Sequence, residues 1–394
     1  MNKPLAVILA AVTIDSIGIG LIFPILPALL REVTRSADVA VLYGVILALY
    51  ALMQFIFSPV LGALSDRYGR RPLLLLSLGG TAVDYLIMAF APVFAVLLVG
   101  RIVSGITSAS MSIATAYIAD ITPESERARR FGYVSACFGI GFIVGPIAGG
   151  VLGEYWIRAP FLLAAVLNAA NFALAFFVLP ESRTGEAKPL SLSSLNPLGP
   201  MKWALGLTAL LPLLAIFVIL ALVGNIPGTI WVLYGQDKFG WDMVTVGASL
   251  AVFGLCHAGS QAFLTGPLVA RIGEWPTMIL GMFFDGLAFV LVGLATQGWI
   301  PFALAPLFAA GGVGLPALQA LLSNHVSGER QGALQGVLAS LQSLTAIVGP
   351  LVGTAVYAAT RDTMIGAVWF LGAALYALTL PLLFAAGRRA AQPA

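Results

Sequence analysis

The chain has 394 residues, of which 60% are hydrophobic and only 9% charged, with a mean hydropathy of +0.99. That is too apolar for a water-soluble domain. The apolar runs of roughly 20 residues that recur along it lack the polar alternation of a transmembrane barrel, so the expected class is an all-α integral membrane protein. The net charge of +3 lends no support to nucleic-acid binding, because most basic residues flank apolar runs, where membrane topology explains them.

Spanning helices are predicted near residues 5–30, 42–62, 72–91, 93–119, 131–153 and 158–179, and a second set near 203–234, 244–268, 276–296, 299–323, 332–358 and 364–386. The first apolar stretch runs past Asp15 without a cleavage boundary, so it reads as a spanning helix and not as a signal peptide. Between the sets, residues 180–202 form a polar linker near the midpoint. The expected organisation is an N-terminal half (1–179), a linker (180–202) and a C-terminal half with a short tail (203–394).

An internal repeat supports that division. The segment Gly62-Ala-Leu-Ser-Asp-Arg-Tyr-Gly-Arg-Arg-Pro72 has a degenerate echo in Gly266-Pro-Leu-Val-Ala-Arg-Ile-Gly-Glu-Trp-Pro276, 204 positions on. Gly145-Pro146 recurs as Gly349-Pro350 and Gly132 as Gly336, both at the same offset. Parallel repeats of this kind build transporters whose substrate path lies between the halves. Of the 20 Lys and Arg residues, fourteen fall in loops on one side and five on the other, with Arg101 inside a helix. That asymmetry predicts cytoplasmic termini and a cytoplasmic linker.

Three acids lie within predicted spans: Asp15, Asp84 and Asp285. Each costs roughly 2.5–3.5 kcal/mol at mid-membrane on insertion scales, and a single basic residue, Arg101, cannot neutralise them all. Some must be protonated, hydrated or paired with a cationic substrate, which suits proton coupling. His257 and Gln261, four residues apart on the eighth predicted span, share a helix face. Polar stripes also mark the second span (Tyr50, Gln54, Ser58), the fourth (Arg101, Ser104, Ser108, Ser112) and the sixth (Asn168, Asn171). Any one such residue serves equally well as an interhelical hydrogen bond, but several converging stripes point to a substrate cavity lined in part by Arg101, Asn168 and Asn171.

The run Gly141-Phe-Ile-Val-Gly-Pro-Ile-Ala-Gly-Gly150 spaces glycines four apart for close helix contact and contains a proline that bends the helix. Gly141, Gly145 and Pro146, with the echo Gly349-Pro350, are hinge candidates. Cys137 and Cys256 sit in apolar runs, where packing is the default role. Two histidines far apart in sequence, and no nucleotide or metal-ligand motif, give an enzyme no visible chemistry.

Residues 62–72 closely resemble the loop between the second and third helices of major facilitator superfamily transporters, and the 141–150 run resembles the motif shared by drug/proton antiporters in that superfamily. Through Asp15-Ser-Ile-Gly-Ile-Gly-Leu-Ile-Phe-Pro, Tyr43-Gly-Val-Ile-Leu-Ala-Leu-Tyr, Ala82-Val-Asp-Tyr, Ala119-Asp-Ile-Thr, Gly312-Val-Gly-Leu-Pro and Gln331-Gly-Ala-Leu-Gln-Gly, most of the chain is similar to the tetracycline/proton antiporters of Gram-negative bacteria. The resemblance implies the major facilitator fold in the bacterial inner membrane. It also implies efflux of a tetracycline chelated to magnesium or another divalent cation, in exchange for a proton. No permanent cofactor and no resident metal are expected; the partners are the chelate, protons and the lipid bilayer, and a monomer is expected. On matching positions Asp285 leads proton coupling, with Asp84, Asp15 and His257. Gln54 and Gln261 line the substrate path. Ser65, Asp66, Gly69 and Arg70 form the cytoplasmic gate. The fourth span departs from the glycine-richer run of relatives, reading Gly105-Ile-Thr-Ser-Ala-Ser-Met-Ser. That leaves open a proton-coupled antiporter for other amphipathic drugs.

Overall fold

The computed structural model describes residues 3–183, 196 and 210–383, and within them the protein is all-helical. In hydrocarbon every backbone N–H and C=O must find its partner inside the segment, which leaves helices as the form these apolar runs adopt. Eleven described helices are long and apolar enough to span a membrane. A twelfth, Ala367–Leu383, is shorter and stops where the described residues end. Residues 184–195, 197–209 and 384–394 lie outside the described part. Most of the predicted linker falls there, with the start of the seventh span and the end of the twelfth.

In chain order the helices are α1 (Lys3–Ile22), α2 (Leu26–Thr34), α3 (Ala40–Tyr68), α4 (Arg70–Phe90), α5 (Phe94–Thr107), α6 (Ser110–Asp120), α7 (Glu124–Tyr155) and α8 (Ala159–Val178). Then come α9 (Leu211–Phe239), α10 (Met243–Ser260), a π-helical turn (Gln261–Thr265) and α11 (Gly266–Ile272). The last are α12 (Glu274–Leu294), α13 (Ile300–Gly311), α14 (Gly314–Asn324), α15 (Gln331–Met364) and α16 (Ala367–Leu378). The helices cluster into two compact units, Met1–Pro197 with Asp242–Ala251, and Leu198–Trp241 with Val252–Ala394.

Four predicted spans are interrupted. The first divides at residues 23–25, where Pro24 and Pro27 prevent a continuous ladder, and α2 ends at Arg35 in the left-handed region, φ 53°. The fourth divides at Ser108-Ala109, the tenth at Gly312-Val313, and the eighth passes through the π turn. The fourth and tenth breaks stand 204 residues apart. So do Gly69 (φ 104°) and Gly273 (φ 85°), which join α3 to α4 and α11 to α12 in a backbone conformation glycine adopts without steric cost. The repeat read in the sequence is therefore a repeat of local geometry.

Within the first unit α1 packs along α7 and α8, and α4 along α5 and α8. In the second, α9 packs along α15, and α12 along α13, α14 and α16. The α1–α7 contact is as close as backbones allow. A Cβ built on Gly141 would lie 2.8 Å from the Ile17 nitrogen, one on Gly145 2.7 Å from the Gly20 Cα, and one on Gly149 would overlap the Leu21 carbonyl. Pro146 lies inside α7 and Pro350 inside α15, where Gly349 packs against Asn225 of α9. At the start of α10, Asp242 accepts a hydrogen bond from the Thr245 N–H at 2.7 Å. Hydrogen bonds from Thr245 hold its carboxyl below the ordinary value.

Gly149→Val should therefore force α1 and α7 apart and cost about 1–3 kcal/mol, whereas Gly139→Ala, with nothing within 4 Å of the added carbon, should leave the thermal midpoint of the detergent-purified protein unchanged. Equal midpoints for the two variants would contradict the close α1–α7 seam.

Candidate functional site

The polar groups inside the first unit gather around the break between α5 and α6. Helix termini leave backbone groups without intrahelical partners, and inside a membrane these must be met by side chains. Ser77 of α4 does this: its hydroxyl donates to the Thr107 carbonyl and accepts the Ala109 N–H at 2.9 Å. Two more serines stand here, Ser108 in the stitched gap and Ser110 at the start of α6. Ser108 Oγ lies 2.7 Å from the Tyr50 hydroxyl and accepts from Gln54 Nε2 at 3.1 Å. Ser110 Oγ donates to Asp15 Oδ2 at 2.6 Å. A cavity with room for about one water adjoins Asp15 and Ser110, walled by Ala11, Leu74, Leu78 and Ala114.

Asp84 is fully buried and forms an ion pair with Arg101 one helix away; the guanidinium also lies 5.7 Å from the Tyr50 ring centroid. Arg101 is thus spent on Asp84. Asp15 has a hydroxyl partner and takes part in no ion pair among the described residues. Asn168 and Asn171 are fully buried. Asn171 Nδ2 donates to the Ala11 carbonyl of α1 at 3.1 Å and ties α8 to α1, while Asn168 Nδ2 donates to Ala164 of its own helix at 3.0 Å.

The second unit repeats the plan with different chemistry. At the α13–α14 break Gln261, the first residue of the π turn, donates from Nε2 to the Gly312 carbonyl at 3.0 Å and accepts from Thr265 at 3.2 Å. The His257 imidazole stacks on Phe253, with centroids 5.8 Å apart, and lies so close to Gly312 that an added Cβ there would sit 2.8 Å from the ring. Its Nδ1 is buried without a hydrogen-bond partner. On the other side of the same junction the Gly311 backbone packs on Asp285, whose carboxylate accepts from the Tyr376 hydroxyl of α16. Asp285, His257 and Gln261 are thereby brought to one break, although 28 residues separate the outer two in sequence.

At the end of the first unit that carries the linker, Arg70 binds Ser65 (3.1 Å), Asp66 (2.7 Å) and Asp120 (3.1 Å). The sequence motif pointed to Ser65, Asp66, Gly69 and Arg70 but not to Asp120 or Glu181. Asp120, the last residue of α6, also accepts from the Ser182 hydroxyl at 3.2 Å. Glu181 accepts from the backbone N–H groups of Arg70 (2.8 Å) and Arg71 (3.1 Å), capping α4. Tyr376 and Ser77 were equally missed. Neither carries a motif; only the helix each faces gives it a role. Among the described residues no three His, Cys, Asp or Glu side chains converge to hold a metal.

Helices broken at corresponding points of two repeats, with polar side chains collected at each break, define a secondary transporter. The Major Facilitator Superfamily profile matches residues 8–309 and 213–394. The chain belongs to that superfamily and, within it, to the tetracycline resistance proteins. It is 53% identical over 382 residues to the Tetracycline resistance protein, class C, of Escherichia coli, covering 97% of this chain and 96% of the relative. It is 51% identical over 386 residues to the class G protein of Vibrio anguillarum, covering 97% and 98%. Its backbone superposes on the crystal structure of a variant of the nucleoside transporter NupG with a TM-score of 0.81 at 14% identity, over 98% of this chain and all of that one, a likeness of fold alone.

Removing the guanidinium in Arg101→Ala leaves the Asp84 carboxylate buried and unpaired, an expected loss of roughly 3–5 kcal/mol. The double variant Asp84→Asn/Arg101→Gln, which buries no charge, should recover most of it in denaturant midpoints of the purified protein. A double variant no more stable than Arg101→Ala would show that the pair is not what holds α4 to α5.

Proposed function

We propose that this protein exports a tetracycline, as its chelate with magnesium or another divalent cation, in exchange for an inward-moving proton. It works by alternating access of a chain whose halves are residues 1–179 and 203–394, joined by the linker 180–202. We assign it to the bacterial inner membrane, with both termini cytoplasmic, acting as a monomer and conferring tetracycline resistance. The metal travels with the drug. The substrate reading rests on the full-length likeness to tetracycline resistance proteins.

The observation that carries the coupling is the unequal pairing of the three acids. Asp84 is committed to Arg101, while among the described residues Asp285 and Asp15 each have only a hydroxyl partner. A carboxylate bonded to a hydroxyl changes its charge without breaking an ion pair, and competition between a cationic chelate and a proton for it would give antiport directly. Asp285 is the leading coupling acid, because the partner-free His257 nitrogen and the Gln261 amide meet at the same break. Asp15 is the second such acid, and Asp84 with Arg101 keeps the charge balance of the first half. Gln54 and Gln261 stand where a substrate oxygen or amide would be met. Arg70, held by Ser65, Asp66 and Asp120, supplies the ionic fastening of the cytoplasmic gate. Breaking and remaking such exposed pairs costs little, about 0–1 kcal/mol each, as a gate that cycles requires.

In everted vesicles holding an acid-interior gradient, tetracycline with magnesium should discharge the gradient through the parent protein and not through Asp285→Asn at equal membrane content. An Asp285→Asn protein that still exchanges drug for protons would remove Asp285 from the coupling path. A parent protein without response would reject tetracycline as the coupled substrate.

A further inference from the structure

We propose that Ser108 is a specificity-determining residue: with Tyr50 it forms a hydroxyl pair that presents one hydrogen-bond donor beside the Gln54 amide oxygen to an oxygen-bearing substituent of the substrate. This assignment rests on the tetracycline reading above and goes beyond it to one contact.

Ser108 is the middle of the gap between α5 and α6, with φ −74° and ψ 81°, so its side chain follows neither helix face. The backbone groups that the gap exposes are met from outside it, by Ser77 on Thr107 and Ala109. The Ser108 hydroxyl is therefore not needed to close the break. The repeat supports this independently. The corresponding break, 204 residues on, has Gly312 at this place and forms without any side chain there. In the second unit that space is taken by the His257 ring. In the first it is taken by a hydroxyl.

What that hydroxyl can do follows from counting donors. A serine or tyrosine hydroxyl has one O–H and two lone pairs. Tyr50 and Ser108 share a single hydrogen bond at 2.7 Å, so one of their two O–H groups is used between them, while Gln54 donates to Ser108 and brings no demand for a proton. Whichever of the pair donates to the other, one O–H remains for a ligand. Gln54 Oε1 has no bond among the described contacts and supplies an acceptor alongside. Tyr50, Gln54 and Ser108 all keep partial exposure, in contrast to the sealed Asp84, Ser104, Asn168 and Asn171. A donor next to an acceptor, partly exposed and held by α3 and the gap after α5, fits a hydroxyl or carbonyl oxygen on a rigid polycyclic substrate. It discriminates among such substrates by which ring positions carry oxygen.

The test is concentration-dependent uptake in everted vesicles for tetracycline and a set of derivatives each lacking one oxygen substituent. The parent is compared with Ser108→Ala, Ser108→Thr and Thr115→Val, the last of which loses only bonds to the Met111 and Ser112 carbonyls of its own helix. A lost neutral hydrogen bond corresponds to a change of roughly 2- to 10-fold. Ser108→Ala should raise the tetracycline KM by about that factor with little change in maximal rate, while the KM for at least one derivative stays put, so that their ratio shifts. Ser108→Thr should restore the parent ratio and Thr115→Val should not disturb it. Ratios unchanged in Ser108→Ala across the whole set, or every KM rising together, would overturn the assignment while leaving the functional reading intact. Parent vesicles that accumulate no member of the set would overturn the functional reading and this assignment with it.

Discussion

The constraint on which this protein depends is that a backbone in hydrocarbon cannot leave its hydrogen bonds to water. An unbroken apolar helix satisfies it alone. A broken one does so only if neighbours supply the missing partners, and here they do so with named groups: Ser77 at the fourth span, Gln261 at the tenth. The breaks are thus places where polar side chains are obligatory in an otherwise apolar bundle. Once a polar group is required, further ones cost less, because each can satisfy the next. Polar side chains gather at the breaks for this reason, with Asp15, Tyr50, Gln54 and Ser108 around one and Asp285, His257 and Gln261 around the other.

The repeat shows how one scaffold supports two chemistries. Position 77 is a serine whose hydroxyl bridges the gap; its counterpart, Gly281, lets α12 approach so closely that an added Cβ would lie 2.6 Å from the Gly314 Cα. Position 120 is an aspartate paired with Arg70, and its counterpart Asn324 donates to Glu274 at the same 3.1 Å, the counterpart of Arg70. Geometry is retained while charge is exchanged. The first half keeps an ion pair at its core, Asp84 with Arg101, and the second keeps a lone carboxylate beside a neutral tyrosine. The first half also holds Asp15, which like Asp285 has a hydroxyl partner and no ion pair among the described residues.

Much of this was legible in the residues, and the parts that were not share a cause. Span number, the two sets of six and the 204-residue offset follow from apolar run length and glycine-proline punctuation, both local signals. The split of the first span was signalled by Pro24 and Pro27, and the tenth by Gly311-Gly312. The split of the fourth was not, because Ser108-Ala109 contains no residue that breaks a helix by itself. That break exists because Ser77, 31 residues earlier, makes it affordable in hydrogen bonds, and no periodicity reports such a pairing. The same holds for Asp120 with Arg70 and for Tyr376 with Asp285. Each partner reads as ordinary until the fold brings it within reach.

The polar stripes carry the same lesson in reverse. Asn168 and Asn171 are as conspicuous in sequence as Gln54 and Tyr50, and both pairs lie on one face of a span. Burial separates them: each asparagine donates one amide hydrogen bond to a backbone carbonyl inside packed helices and keeps a buried Oδ1 without a partner, whereas Tyr50 and Gln54 bond to a side chain, Ser108, that stands in a gap. A polar group whose partner is a carbonyl of a continuous helix holds structure, since moving it strands a buried amide at a cost of about 1–3 kcal/mol. A polar group whose partner is another hydroxyl can exchange that partner for a ligand oxygen with little net loss. The capacity to bind therefore follows from how replaceable each hydrogen bond is, and in the first half the replaceable ones meet at Ser108.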